Sequence, residues 1–313
     1  MTGGIMNPVP ISQSETRSVF LDFIRERIGY APDTIQQEGV IQRFSTNGKR
    51  GDLSGWYIWY SMAGAFGNWR TGESCRWHCR EYRELNREER RRIDRQIRQA
   101  EARRKHELEA GYGHMAEQAR EDIKHFHPAT TDHPYLIEKG ILPHDALIDG
   151  QNVLIITMYY RGEIVSYQRI FPVRLPDGTN KRFLKGGRKK GCYHPIGNKG
   201  ERDLGICEGF ATGASIHEAT GDDVVVAFDA GNLLPVARAM RDKYPDRKII
   251  LWADDDYQRV DRNGQPENIG VIKATEAAQA INGYLAVPDF GEKRPEGATD
   301  FNDLSQMMKG SGR

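Results

Sequence analysis

The sequence predicts an α/β protein whose C-terminal part is built on a parallel sheet. From residue 203 onward, short apolar segments alternate with longer segments of helical periodicity, which is typical of right-handed βαβ units. The 313 residues suffice for two or three domains, and the mean hydropathy of -0.68 indicates a polar chain with strongly solvated segments. The predicted strands cover residues 203–207, 224–228, 248–253 and 284–287, and the predicted helices cover residues 211–219, 233–244 and 271–281.

A small α+β module is predicted for residues 1–80. A helix is expected near residues 19–27, and the segment Gly-Trp-Tyr-Ile-Trp-Tyr at residues 55–60 has the aromatic content of a strand. We expect these aromatic side chains in the core of the module. The alternative is that they stack on nucleic-acid bases beside Arg70 and Arg76.

Residues 81–125 are predicted to form a charged helical connector. Between residues 80 and 110, arginine alternates with aspartate and glutamate, and neither proline nor glycine interrupts the run. The few apolar positions form a thin stripe, so most of this helix faces water or charged partners. Two interpretations stay open: a connector stabilised by i,i+4 ion pairs, or a basic rail for a phosphate backbone.

A basic, strand-rich region is predicted for residues 126–200. Residues 153–160 and 163–171 are expected to form a hairpin that turns at Arg161 and Gly162. The glycine-rich stretch 181–191 follows, where the backbone can approach phosphates closely and cations can neutralise them. The alternative is a solvated basic loop. The candidate nucleic-acid- or nucleotide-binding residues are the six cations Lys181, Arg182, Lys185, Arg188, Lys189 and Lys190.

Acidic residues follow two of the predicted strands in residues 201–313. Glu208 comes directly after one strand, and Asp254, Asp255 and Asp256 come after another. Ligands of open α/β sheets bind outside the carboxyl ends of the strands. If the extended geometry persists, Asp254 and Asp256 point to the same side and Asp255 points away.

These carboxylates predict a divalent-metal site. Like charges at one sheet edge repel unless a cation lies between them, and Mg²⁺ or Mn²⁺ prefers oxygen ligands. The predicted ligands are Glu208, Asp254 and Asp256, with outer ligands from Asp300 and Asp303. Each acid taken singly has another explanation, because aspartate and glutamate also cap helices and form turns.

The charge and cysteine content restrict the class of protein further. The net charge of +1 excludes a globally basic nucleic-acid coat, so contacts with a polyanion must be local. The four cysteines are too few for a disulfide scaffold; Cys75, His78 and Cys79 lack the second ligand pair typical of structural zinc. Neither an export signal nor a run of about 20 apolar residues is evident. We therefore expect a cytoplasmic protein without a membrane partner.

Five motifs together resemble a known family. The segments at residues 205–213 (GICEGFATG) and 250–256 (ILWADDD) resemble the Toprim domain, a Rossmann-like parallel-sheet domain of primases, topoisomerases and related nucleases. Residues 227–233, 268–270 and 299–304 resemble, more narrowly, the Toprim primases of conjugative plasmids, integrative elements and phages. The resemblance covers roughly residues 150–310, and residues 181–197 resemble the basic segment that precedes Toprim in that group.

The resemblance implies a DNA primase, a nucleotidyltransferase that makes short RNA primers on single-stranded DNA. Glu208 would be the Toprim glutamate, and Asp254 and Asp256 would be the metal-binding aspartates, with Mg²⁺ or Mn²⁺ activating a 3′-hydroxyl and neutralising a nucleoside triphosphate. Neither a P-loop nor an N-terminal zinc ribbon is evident, so we expect unwinding to come from a separate replicative helicase. The alternatives are a metal-dependent Toprim nuclease and a non-catalytic single-stranded DNA-binding protein.

Overall fold

The computed structural model describes residues 13–310 apart from residues 50, 61, 72, 80–86, 198, 199, 201 and 261–263. The chain divides into two compact units, residues 1–108 and 109–313. None of the helices in the described parts of the chain has both the length and the apolar character needed to span a membrane. The four-segment division expected from the sequence stays a prediction.

In the first unit, one helix packs on a four-stranded antiparallel sheet. Phe20 of the helix lies 5.1 Å, between ring centroids, from both Trp59 and Trp77. Gly64 makes this contact possible, because a Cβ there would lie 2.7 Å from the Phe20 ring. The elements are α1 (Gln13–Ile28), β1 (Gln42–Phe44), β2 (Gly55–Tyr60), β3 (Ala63–Asn68) and β4 (Glu73–His78), and the strands pair in that order.

The predicted aromatic core is confirmed for part of β2. Tyr57 and Trp59 are almost completely buried, together with Phe66 of β3. Trp69 lies just beyond β3 and is 49% exposed, with the Arg43 guanidinium 5.1 Å from its ring. Neither Cys75 nor Cys79 of this unit takes part in a disulfide.

Asp52 organises the connection between β1 and β2. Its carboxylate accepts hydrogen bonds from the Ser54 hydroxyl at 2.7 Å and from the Thr46 amide at 2.8 Å, and Arg70 pairs with it at 3.2 Å. The Ser54 hydroxyl bond is the largest influence that holds the pKa of Asp52 well below its usual range. A folded-state pKa below the unfolded value means that the charged carboxylate stabilises the fold.

We expect Asp52→Asn to lower the melting temperature of the first unit at neutral pH, because the amide cannot accept all of these bonds. The stabilisation is present above the ordinary aspartate pKa of about 3.9 and is lost as the pH falls below it. The difference in melting temperature between the variant and the wild type should therefore become smaller as the pH is lowered. Four of the five tryptophans lie in residues 1–108, so tryptophan fluorescence reports on this unit. Glu26→Gln on the exposed face of α1 is the control. A melting-temperature difference for Asp52→Asn that does not change with pH would contradict the stabilising role of the charged Asp52 carboxylate.

The predicted long charged helix is confirmed for its described part, and it continues beyond the charged run of residues 80–110. Helix α2 (Arg87–Ile123) continues through Gly111 and Gly113, and residues 80–86 of the predicted run lie outside the described residues. Its last turns are held by packing, because Ala119 is completely buried with Tyr167 and Ile155 of the second unit's antiparallel sheet. Tertiary contacts therefore override the low helix propensity of the two glycines.

The second unit begins with a five-stranded antiparallel sheet whose strands pair in chain order. The predicted hairpin is confirmed, and its turn residues Arg161 and Gly162 have φ values of 53° and 89°. Two positive φ values suit the twist of a two-residue hairpin. The elements are β5 (His127–Pro128), α3 (Pro134–Lys139), β6 (Leu147–Ile148), β7 (Leu154–Tyr160), β8 (Glu163–Ile170) and β9 (Lys181–Phe183).

The predicted parallel sheet follows, with one antiparallel edge strand. Four strands are parallel in the order β12-β11-β13-β14, and β10 pairs antiparallel with β12. Successive residues of the central strand enter opposite core clusters, Ile206 on one face and Cys207 on the other. The elements are β10 (His194–Ile196), β11 (Leu204–Cys207), α4 (Phe210–Thr220), β12 (Asp223–Val226), α5 (Ala230–Lys243), β13 (Ile249–Trp252), α6 (Ile269–Ala280), β14 (Tyr284–Ala286) and α7 (Phe301–Gly310).

Candidate active site

The acidic residues lie at the carboxyl ends of two neighbouring strands. Strands β11 and β13 are parallel and in register, with Cys207 opposite Trp252. Glu208 is the first residue after β11, and Asp254 is the second residue after β13. The strand order therefore brings the two segments to the same edge of the sheet. We call Glu208, Asp254 and Asp256 the acidic crevice.

The carboxylates of the acidic crevice interact strongly. Burial raises the pKa of Glu208 to about 7, and the charges of Asp229 and Asp256 contribute to the rise. Burial likewise raises the pKa of Asp254 well above its usual range, followed by the charges of Glu208, Asp300 and Asp256. Removal from water and mutual repulsion both disfavour the ionised forms of these carboxylates. A cation bound among them would stabilise the ionised forms.

Strand geometry does not extend to the aspartates, because β13 ends at Trp252. A separate set of contacts positions the loop instead. The Asp255 carboxylate accepts a hydrogen bond from the Asn268 side chain and pairs with Arg294, and its amide donates to the Thr299 carbonyl at 2.7 Å. Asp255 is thus engaged away from the crevice.

Asp254 and Asp256 are fixed by the start of α6. The Asp256 amide donates to the Asn268 side chain at 3.0 Å, and the Asp256 carboxylate accepts from the Gly270 amide at 3.2 Å. A Cβ at Gly270 would lie 2.1 Å from the Asp254 carbonyl oxygen, so this approach requires glycine. Oδ1 of Asp254 is buried and has no hydrogen-bond partner within the described part of the chain.

Asp300 and Asp303 cap helix α7. Oδ1 of Asp300 accepts hydrogen bonds from the Asn302 and Asp303 amides at 2.8 and 2.9 Å, and Oδ2 accepts from the Thr212 hydroxyl at 3.1 Å. The Asp303 carboxylate accepts in return from the Asp300 amide at 3.3 Å and from the Thr299 amide at 2.8 Å. This reciprocal pattern is a capping box. The charge of Asp300 acts on Asp254, but a metal-binding role for Asp300 stays a prediction.

Asp229 was not predicted as a site residue. This residue follows β12, the other parallel neighbour of β11, and its charge acts on Glu208 more than that of Asp256 does. The rule that selected Glu208 and Asp254 also applies to it, because predicted strand 224–228 ends next to Asp229. The signal was therefore present in the sequence.

The six cations of the basic segment have different environments. Desolvation lowers the pKa of Lys181, as does the charge of Lys139, whereas the charges of Asp300, Glu208 and Asp254 raise it. The Lys181 ammonium group thus interacts electrostatically with the carboxylates of the acidic crevice. Arg182 pairs with Asp177 outside it. Lys185 and Lys190 are exposed, and neither has an ion-pair partner among the described residues.

Arg188 is part of the framework of the second unit. Its guanidinium lies 4.2 Å from the ring centroid of Tyr160 and 4.5 Å from that of Tyr112, and it pairs with Glu109 of α2. Its side chain is only 13% exposed. Contact with nucleic acid would require at least part of this arrangement to open.

We expect Arg188→Ala to destabilise the second unit by about 2 kcal/mol, because the substitution removes two desolvated cation–π interactions and an ion pair. Lys190→Ala, two residues away, should change the free energy of unfolding by less than about 0.5 kcal/mol. Urea unfolding followed by far-UV circular dichroism measures both. Equal effects of the two variants would contradict the structural role of Arg188.

Among the described residues, no three histidine, cysteine, aspartate or glutamate side chains form a ready-made metal-ligand set. The acidic crevice nevertheless has the chemistry that a hard cation requires. Its donors are carboxylate oxygens, one of which is the buried, unpartnered Oδ1 of Asp254. The residues present therefore fit a divalent cation.

A parallel sheet with acidic residues beyond adjacent strands is the architecture of the Toprim domain, and residues 203–311 match the Toprim domain family. Residues 203–311 of this chain are thus a Toprim domain, as the sequence motifs predicted. Two curated proteins of Escherichia coli, both named DNA primase TraC, are each 34% identical to this chain, over 264 and 253 residues. These matches confirm the resemblance to plasmid primases.

The similarity to these relatives covers most of this chain but a small part of theirs. The two alignments cover 81% and 78% of this chain, and 24% and 17% of the relatives. The chain therefore spans a quarter or less of the length of the curated relatives it matches. A crystal structure of the primase fragment of the bacteriophage T7 primase-helicase protein is also similar, with 21% identity and a TM-score of 0.38, covering 57% of this chain and 69% of that chain.

Proposed function

We propose that this chain is a DNA primase that synthesises short RNA primers on single-stranded DNA during replication or transfer of a mobile element. The observation that carries the proposal is the acidic crevice of the Toprim domain, where carboxylates from two strand ends are desolvated together. The TraC relatives support it through their name. The substrates would be a DNA template and nucleoside triphosphates, and a separate replicative helicase would supply unwinding.

Glu208, Asp254 and Asp256 would hold Mg²⁺ or Mn²⁺, with Asp300 as a further ligand. A cation bound there would neutralise triphosphate charge and favour ionisation of the attacking 3′-hydroxyl. The unpartnered Oδ1 of Asp254 supports this assignment, because a buried carboxylate oxygen without a donor is costly unless a cation satisfies it. The choice between the two metals belongs to this proposal.

The chain's own residues would bind the reactants and move protons. The carboxyl group of Glu208, whose pKa is raised by burial and by the neighbouring carboxylates, would assist proton transfer from the attacking hydroxyl. Lys181 offers an ammonium group whose charge acts on the same crevice, and we assign it to a nucleotide phosphate. Lys185 and Lys190 are exposed and suit the template backbone.

We expect Asp254→Asn and Glu208→Gln each to reduce primer synthesis by about a hundredfold or more, because each removes a charged group from the reaction centre. The assay measures ribonucleotide incorporation on single-stranded DNA with the four NTPs and Mg²⁺ or Mn²⁺. Asp242→Asn, an exposed aspartate of α5, is the matched control and should retain activity. If the template is shortened and no primer is made, the chain is a nuclease and the proposal is wrong. If the chain binds single-stranded DNA but neither reaction occurs, it is a non-catalytic binding protein.

We expect the double variant Lys185→Ala, Lys190→Ala to weaken binding of single-stranded DNA and to reduce its salt dependence. The slope of log K against log salt should fall by about 0.7 for each phosphate that the variant no longer neutralises. Lys248→Ala is the control, since Lys248 precedes β13 at the opposite edge of the sheet. Fluorescence anisotropy at several salt concentrations measures the slope, and an unchanged slope would remove these two lysines from the interface.

A further inference from the structure

Lys189 and Asp229 join the basic segment to the acidic crevice. Nζ of Lys189 lies 2.6 Å from Oδ2 of Asp229, and it also lies 4.6 Å from the centroid of the Phe183 ring. Asp229 follows β12, which is paired in register with β11. The residue before it, Phe228, donates its amide hydrogen to the Glu208 carbonyl at 2.8 Å. A direct backbone contact therefore connects the segment that carries Asp229 to the Toprim glutamate.

The backbone around Lys189 is held firmly on both sides. Arg188 is held by its two tyrosine contacts and Glu109. The side chain of Asn232 is buried and accepts a hydrogen bond from the Gly191 amide at 2.7 Å. It also donates to the carbonyls of Cys192 and Ala227 at 2.8 and 2.7 Å. Asn232 thus uses both donors and its acceptor to hold this loop against the end of β12.

The Lys189–Asp229 ion pair, in contrast, is open to solvent. The two side chains are 43% and 33% exposed, and an ion pair of this exposure contributes less than about fivefold to an equilibrium constant. A phosphate group is a strong competitor for a lysine ammonium group. The Lys189 side chain can therefore change partner while the loop backbone stays in place.

We propose that Lys189 exchanges Asp229 for a phosphate group of the substrate, and that Asp229 then adds its negative charge to the acidic crevice and strengthens the binding of the divalent cation. Asp229 is thus a positioning residue that couples polyanion binding to metal binding. The proposal rests on the proposed function for the identity of the substrate. The phosphate belongs to either the DNA template or a nucleoside triphosphate, and the two sources are distinguished by separate probes.

The coupling must be reciprocal, because each ligand changes the affinity for the other by the same factor. A phosphate that takes Lys189 leaves Asp229 uncompensated, which raises the affinity of the crevice for a cation. A cation in the crevice weakens the hold of Asp229 on Lys189, which raises the affinity for a phosphate. Lys190 lies next to Lys189 but is exposed and has no ion-pair partner among the described residues. It provides the matched control.

A double-mutant cycle on the full chain tests the exchange. The probes are a fluorescein-labelled oligo(dT) and ATP, both without divalent cation, and Mn²⁺ alone, followed by the electron paramagnetic resonance signal of the free ion. We expect Asp229→Asn to tighten binding of one phosphate probe about two- to fivefold, because Lys189 is already free. The same substitution should give no gain in a Lys189→Gln background. The probe that shows this pattern identifies the source of the phosphate.

Mn²⁺ binding provides the second arm. Asp229→Asn should weaken Mn²⁺ binding, and Lys189→Gln should strengthen it by more than Lys190→Gln does. In the Lys190→Gln background, Asp229→Asn should keep its full effect on the phosphate probe. An equal gain with and without Lys189 would show a general field effect and overturn the proposal, as would the absence of a gain with both probes. Because these are binding measurements, they stand apart from primer synthesis, whose failure would overturn the proposed function alone.

Discussion

Mutual repulsion among half-buried carboxylates at one sheet edge is the constraint on which the site of the second unit depends. Glu208 and Asp254 are partly removed from water there, and the charge of Glu208 disfavours the ionised form of Asp254. The fold tolerates this because other groups fix the surrounding backbone. Asp255 is held by Arg294 and Asn268, so the loop cannot relax away from the crevice. The repulsion lowers the free energy of unfolding, as is expected where a functional site is kept at the expense of stability.

The secondary structure of the Toprim domain follows closely from its sequence pattern. All four predicted strands and the three helices between them are present, with ends no more than three residues from the predicted ones. The antiparallel edge strand β10 was not predicted, because a segment of three residues carries too little periodicity. The last turns of α2 lie beyond the charged run that predicted the helix, for a different reason. Burial of Ala119 against another part of the chain stabilises them, and such a contact cannot be seen in local sequence.

The candidate site was partly accessible to the same reasoning. The rule that acids beyond parallel strands converge placed Glu208 and Asp254 at one edge, and it would have placed Asp229 there too. Charge counting treated the six cations of residues 181–191 as equivalent. The structure separates them, because Arg188 lies between tyrosines from distant segments while Lys190 faces solvent. Such differences depend on contacts between residues far apart in sequence, which no local pattern contains.

Strand β10 has a consequence for how the Toprim domain can be isolated. The family boundary lies at residue 203, but β10 precedes it and supplies the hydrogen bonds along one side of β12. A fragment trimmed at that boundary would leave the amide and carbonyl groups along this side of β12 unpaired. Unpaired strand edges recruit other chains and promote aggregation. A well-behaved minimal fragment therefore has to retain the residues upstream of the family boundary.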